Sequence, residues 1–161
     1  MSMLSILQAQ DEKQIVEARA LFIEYAESLG FDLGFQGFEE EVAGLPGEYA
    51  GAVGRLLIAY LDGAAVGCGA LRRISETVCE MKRLYVRPQA RGLGIGKLLS
   101  EQLMTEAREI GYRQMRLDTI AQQMQTAVAL YRAQGFREIE PYRYNPIPGA
   151  LYMEKDLTPA D

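Results

Sequence analysis

Residues 80–111 read EMKRLYVRPQARGLGIGKLLSEQLMTEAREIG, and the order of their parts decides the fold. Glu80–Val86 is a strand, stopped by Arg87-Pro88 because proline brings no backbone donor to a ladder. Gln89–Gly96 is a glycine-rich turn. Lys97–Ile110 then places Leu98, Leu99, Leu103, Ala107 and Ile110 on one helical face and stops at Gly111. Glycines let the backbone come close to a bulky anion. The unpaired N–H groups and the positive end of the helix dipole then face that anion, and a diphosphate suits such a turn.

Working outward, Ser5–Ala9 alternates as a first strand. Asp11–Leu29 has helical spacing at Ile15, Ala18, Leu21, Phe22, Tyr25 and Leu29, with Asp11 as N-cap and Gly30 as stop. Phe31–Tyr49 reads as a short second helix between loops. Arg55–Leu61 and Ala64–Ile74 form a hairpin about Asp62-Gly63, where both turn positions need positive φ. Downstream come a strand at Gln114–Thr119, a helix at Gln125–Gln134 stopped by Gly135, and strands at Phe136–Pro141 and Ala150–Asp156. The expectation is one α/β domain over residues 1–156, a mixed sheet in the order β-αα-βββ-α-β-α-ββ, with residues 157–161 as a flexible tail.

Composition narrows the function. A chain of 161 residues can bury a real core. Its net charge of −5, without a basic block, argues against a nucleic-acid partner. No apolar run reaches the roughly 20 residues that span a bilayer, and no basic leader precedes an apolar run, so no membrane partner and a cytoplasmic location are expected. Two cysteines, Cys68 and Cys79, make no disulfide framework. The chain has no histidine, which removes Ser-His-Asp and Cys-His catalysis and the common zinc sites. No metal is called for. Any base is a carboxylate, lysine, tyrosine, cysteine or water.

Three kinds of anion-binding loop compete for Arg91-Gly92-Leu93-Gly94-Ile95-Gly96-Lys97. A Walker loop needs Ser or Thr after Gly-Lys, and Leu98 stands there. A dinucleotide fingerprint needs a different glycine spacing inside a βαβ unit. The third is a turn of the form [QR]xxGx[GA], matched by Arg91, Gly94 and Gly96. With the strand Glu80–Val86 before it and Leu130-Tyr131-Arg132-Ala133-Gln134-Gly135-Phe136 after it, the chain resembles the GNAT superfamily of N-acetyltransferases in element order over nearly its whole length.

That resemblance implies acetyl-CoA as co-substrate and a central strand pair that splays to admit the pantetheine arm. By position, the backbones of Leu84 and Val86, with Tyr85 between them, pair with that arm, and the Leu84 N–H polarises the thioester carbonyl. Gly92, Leu93, Gly94, Ile95, Gly96 and Lys97, beside Arg91, supply donors to the pyrophosphate. Tyr131 hydrogen-bonds or protonates the leaving thiolate. The family's asparagine before the last helix is missing; Gln122-Gln123-Met124-Gln125-Thr126 stands there. A small-molecule amine is the acceptor, and a homodimer through the terminal strands is possible.

The base is a choice between two accounts of Glu80. Glu80 matches the carboxylate base of some family members, and strand parity places it with Lys82, Leu84 and Val86. It also suits an ion pair with Lys82 or Arg72. Arg72 or Arg73 is a candidate fork for a substrate carboxylate, and Phe35 and Tyr142 are candidates for the acceptor pocket. Cys79 faces away from Glu80 by parity. A silent acyl-CoA sensor of the same fold, and a nucleotide-binding protein using the same turn, are the competing functions.

Overall fold

In a computed structural model, which describes residues 3–30, 32–34, 37–120 and 124–157, the expected order of elements is present. β1 (Leu4–Gln8) is followed by α1 (Glu12–Leu29) and α2 (Phe38–Ala43). β2 (Arg55–Leu61), β3 (Ala64–Arg73) and β4 (Val78–Val86) come next, then α3 (Ile95–Ile110), β5 (Gln114–Ile120), α4 (Gln125–Ala133), β6 (Arg137–Ile139) and β7 (Ala150–Asp156). The Asp11 side chain accepts from the Gln14 N–H while the Gln14 side chain reaches back to the cap, so α1 starts with a capping box. Asp62 and Gly63 have φ of 52° and 85°, the values a two-residue hairpin turn requires.

All strands join one mixed sheet in the order β1-β2-β3-β4-β5-β7-β6. Among the described residues its one parallel pairing, β4 with β5, is short. Val78, Cys79 and Glu80 pair with Gln114, Met115 and Arg116, and beyond Glu80 the strands separate. β5 continues against β7 as far as Ile120. The half of β4 after Glu80 therefore presents an edge to a gap. β7, a terminal strand, lies inside the sheet; β1 and β6 are the edges.

Two cores cover the two faces. α3 packs Ile95, Leu99, Leu103 and Ala107 on Leu57, Leu71, Met81, Met115 and Met153. α1 packs Ala18, Leu21 and Phe22 on Leu56, Ile58, Ala70 and Tyr85. Leu157 closes the first core: it is fully buried, its N–H donates to Arg113, and its carbonyl accepts from Arg108. Leu157, expected to open a flexible tail, is thus part of the core, and residues 158–161 lie outside the described residues.

Strand parity along β4 differs from expectation. Cys68 pairs with Tyr85 and Ala70 with Lys82, so β4 spends one residue more than β3 over the same span. The extra residue sits at Arg83, whose φ is 60°. Such a bulge flips every later side chain to the other face. Leu84 and Val86 therefore join the α3 core and Tyr85 the α1 core, while Glu80 and Lys82 stay on the α1 side.

Candidate active site

The bulge is held in place by its own side chain. Arg83 donates two 2.9 Å bonds to the Glu41 carboxylate and lies over the rings of Phe38 and Tyr25 at 5.2 and 5.9 Å. A non-glycine residue in the left-handed region costs on the order of 1–2 kcal/mol, which a buried bidentate pair can offset. Burial raises the carboxyl of Glu41, but Arg83 outweighs it and holds the group below its usual range.

A groove of about 740 Å³ runs along the open edge of β4, over Leu84, Tyr85 and Val86, to the start of α3, with Gln125, Thr126 and Leu130 of α4 opposite. Arg91, Gly92, Gly94, Ile95, Gly96 and Lys97 line it; Leu93 points away and is 60% exposed. Gly92 and Gly94 have φ of 84° and 77°, and a side chain on either would meet open space. Their absent side chains thus serve backbone conformation and access rather than packing. Among the described residues no side chain caps the start of α3 and no acid lies in its first turn, so its free N–H groups are open to an anion. These features fit a diphosphate. Arg91 braces the turn, donating to the Val86 carbonyl at 3.0 Å and lying over Tyr85 at 5.9 Å. Lys97 is exposed, 4.0 Å from Glu101.

Where β4 and β5 part, the groove meets a smaller cavity of about 50 Å³, with Tyr25, Leu29, Leu84, Met124 and Ala127 shared between them. Lys82, Arg83, Asp118, Thr119, Tyr131 and Asn145 also line it. The Tyr131 ring packs edge-on against Phe136 at 5.7 Å, and among the described residues its hydroxyl has no hydrogen-bond partner. Burial pushes its pKa up, so it enters any reaction protonated. Lys82 is 8% exposed. Burial, then the positive charges of Arg83 and Arg72, pull its ammonium down to about 8, against the opposing pull of Glu41 and Asp118.

Glu80 is completely buried just outside this cavity, at the last residue of the parallel pairing. Arg72 donates to one oxygen at 2.7 Å; the Tyr142 hydroxyl at 2.6 Å and the Arg143 guanidinium hold the other. Tyr142 also stacks edge-on with Tyr152 and lies beneath the guanidiniums of Arg116 and Arg143. Of the residues proposed to meet the acceptor, Arg72 and Tyr142 are thus gathered around Glu80. Arg73 is not: it is exposed and turns to Tyr112, at the edge of the α3 core. Phe35 lies outside the described residues, as do Gln122 and Gln123. Cys79 is buried in the α3 core with its thiol pushed up to about 12 by burial, and it lines neither cavity.

Asp118, on the side of β5 where the strands part, escaped the sequence reading. It accepts from the Asn145 amide at 3.1 Å and faces the inner cavity. In open sheets ligands gather at the carboxyl ends of parallel strands. An acid at that end of the strand following the glycine turn was the available signal.

Residues 52–138 match the acetyltransferase (GNAT) domain family. An uncharacterized N-acetyltransferase of Schizosaccharomyces pombe is 37% identical over 159 residues, covering 98% of this chain and 97% of its own. A GNAT-family acetyltransferase from Staphylococcus aureus superposes with a TM-score of 0.80 at 20% identity, covering 97% of this chain and all of its own. A Salmonella typhimurium acetyltransferase, solved with its cofactor acetyl-CoA, superposes at 0.72 with 16% identity, covering 96% of this chain and 94% of its own.

Proposed function

The chain belongs to the GNAT acetyltransferase family, and on that footing we propose that it moves the acetyl group of acetyl-CoA to the primary amine of a small molecule or amino acid by direct attack in a ternary complex. The observation that carries this is the continuous path from the uncapped start of α3, along the open edge of β4, into a cavity lined by Tyr131, Lys82 and Asp118. The Salmonella protein was solved with acetyl-CoA, and the groove here offers the uncapped start of α3 to the diphosphate of the same molecule.

In this account the diphosphate sits on the N–H groups at the start of α3 and the pantetheine arm adds to the free edge of β4. The arm brings the thioester to Leu84, whose N–H polarises the carbonyl. The acceptor enters the inner cavity as an ammonium and loses its proton to Asp118, the carboxylate that faces it. Its amine attacks the thioester carbon and the C–S bond breaks; the Tyr131 hydroxyl protonates the leaving sulfur and recovers the second proton that the nitrogen sheds on becoming an amide, so the N-acetylated amine and the free thiol of CoA leave with the first proton on Asp118. Glu80 acts through the arginines and tyrosine it holds rather than as the base, because both its oxygens are taken.

A silent acyl-CoA sensor is the competing account, favoured by the sealed carboxylate of Glu80. Asp118 and Tyr131, both facing the cavity, weigh toward turnover. Thiol release from acetyl-CoA across a panel of amines, with mass analysis of the product, tests the proposal. Tight acetyl-CoA binding with no acetylated amine would move the protein to the sensor class.

A further inference from the structure

The inner cavity passes through the sheet. β4 and β5 stop pairing after Glu80, and the lining differs on the two sides of the gap they leave. Lys82, opposite Ala70, reaches the cavity from the α1 side, and so does Asp118, which alternates with Leu117. Met81, Leu117 and Tyr131 belong to the α3 core, and Leu84 and Ala127 pack against it. We propose that the α3 half of the cavity seats the acyl group, and that Met124, latched to Thr119, is the residue that limits it to a short chain. This rests on the reading that an acyl-CoA occupies the groove, and not on transfer.

Chemistry and room divide the cavity in this way. With the thioester carbonyl on the Leu84 N–H, the amine arrives from the α1 side, where Asp118 faces it. An acyl chain turned to that side would stand in the path of the amine and press its carbons against an ammonium and a carboxylate. Turned to the α3 side, the same chain meets apolar carbon, where burying each methylene is favourable. The cavity, about 50 Å³, has to hold the acyl group and the attacking nitrogen together. Every carbon added to the chain must therefore displace the amine or a wall.

Met124 is the wall that decides. It stands where the groove and the inner cavity meet. Its N–H donates to the Ile120 carbonyl and its own carbonyl accepts from the Val128 N–H, so its main chain joins the end of β5 to the start of α4. Met81, Leu117 and Tyr131 are buried in the packed core and cannot retreat. Met124 is half-buried, and a methionine side chain is unbranched and free to swing unless something holds it. Here the Thr119 hydroxyl donates to its sulfur at 2.9 Å. Thr119 is itself buried and shares the α3 face with Leu117, two residues before it. The latch turns a flexible side chain into a fixed end for the acyl seat.

Acyl-CoA molecules that differ only in chain length test the proposal: acetyl-, propionyl-, butyryl- and hexanoyl-CoA, with CoA itself as reference. Binding is read by calorimetry, and transfer to amines separately by product mass. Wild-type protein should bind acetyl-CoA at least about tenfold tighter than butyryl-CoA, because the longer chain overpacks the seat. Met124→Ala should bring butyryl-CoA within about threefold of acetyl-CoA. Thr119→Val keeps the shape of the threonine, removes the hydroxyl and frees Met124; it should narrow the preference by at least about threefold. The ratio is taken within each protein, so a general loss of affinity cancels. Wild-type protein that binds butyryl-CoA as tightly as acetyl-CoA overturns the proposal, and so does an unchanged ratio in either folded variant. If neither CoA nor any acyl-CoA binds the wild type, the reading of the groove falls and this proposal with it. A failure of transfer alone looks different: the preference and its loss in the variants are both seen, and no amine is acetylated.

Discussion

The hydroxyl of Tyr142 donates a 2.6 Å hydrogen bond to the carboxylate of Glu80, a residue 62 positions earlier in the chain. That contact ties the segment between β6 and β7 to the point where β4 and β5 separate. With Arg72 and Arg143 on the same carboxylate, it makes Glu80 the electrostatic anchor of the groups beside the inner cavity.

Glu80→Gln should therefore cost stability more than chemistry. It takes the shared anion from two guanidiniums that are 24% and 19% exposed, leaving Arg72 only the more distant Glu48 at 3.7 Å. Removing one partner of a buried ion pair costs about 3–5 kcal/mol, and the partial exposure here points to the lower end. Chemical denaturation should show a loss of about 3 kcal/mol, while kcat in the folded mutant stays within about tenfold of wild type. A hundredfold fall in kcat with unchanged stability, the usual size of a lost general base, would return that role to Glu80.

Tyr131→Phe keeps the ring contact with Phe136 and removes only the hydroxyl. Turnover should drop by roughly ten- to a hundredfold while acetyl-CoA affinity holds, because the lost interaction belongs to the departing thiolate. Equal losses in binding and turnover would assign Tyr131 to packing.

Gly96 is the better place to probe the anion site than Gly94. At Gly94 a φ of 77° strains any side chain, whereas a Cβ on Gly96 meets only the Val86 methyl at 3.7 Å. Gly96→Asp places a carboxylate in the first turn of α3, where the helix dipole welcomes it. Stability should hold or rise, and acetyl-CoA affinity should fall at least about tenfold by repulsion and competition. Unchanged affinity by calorimetry would place the diphosphate elsewhere.

Lys82 gives the folded protein a pH signature. Its pKa is lowered from 10.5 to about 8, so between those values the unfolded chain binds more protons than the folded one. Stability from this group must then rise with pH across that window, and its full penalty is present below pH 8. The stability gap between wild type and Lys82→Met should narrow by about 3 kcal/mol from pH 8 to 10.5. A constant gap in parallel denaturation series would mean that Lys82 is not desolvated.

The parts of this site written in local sequence were legible. Gly92 and Gly94 announce positive φ wherever they occur, and Asp62-Gly63 announces a hairpin. The bulge was not, because Arg83 enters the left-handed region only through partners far along the chain, Glu41 above all. With the bulge unseen, simple alternation put Leu84 and Val86 on the wrong face. Nothing in the strand Gln114–Thr119 marks out Asp118; only the parting of β4 and β5 beside it does. Arg143 lies in a loop with no periodicity to mark it, and only the fold brings it to Glu80.

Initial-rate kinetics with acetyl-CoA and the acceptor varied together, with product mass recorded, tests the central claim most directly. Direct transfer in a ternary complex predicts lines that intersect, an N-acetylated amine, and one thiol released for each amine consumed. Parallel lines with an acetylated protein intermediate, or acetyl-CoA bound tightly with no acetylated amine, would contradict it.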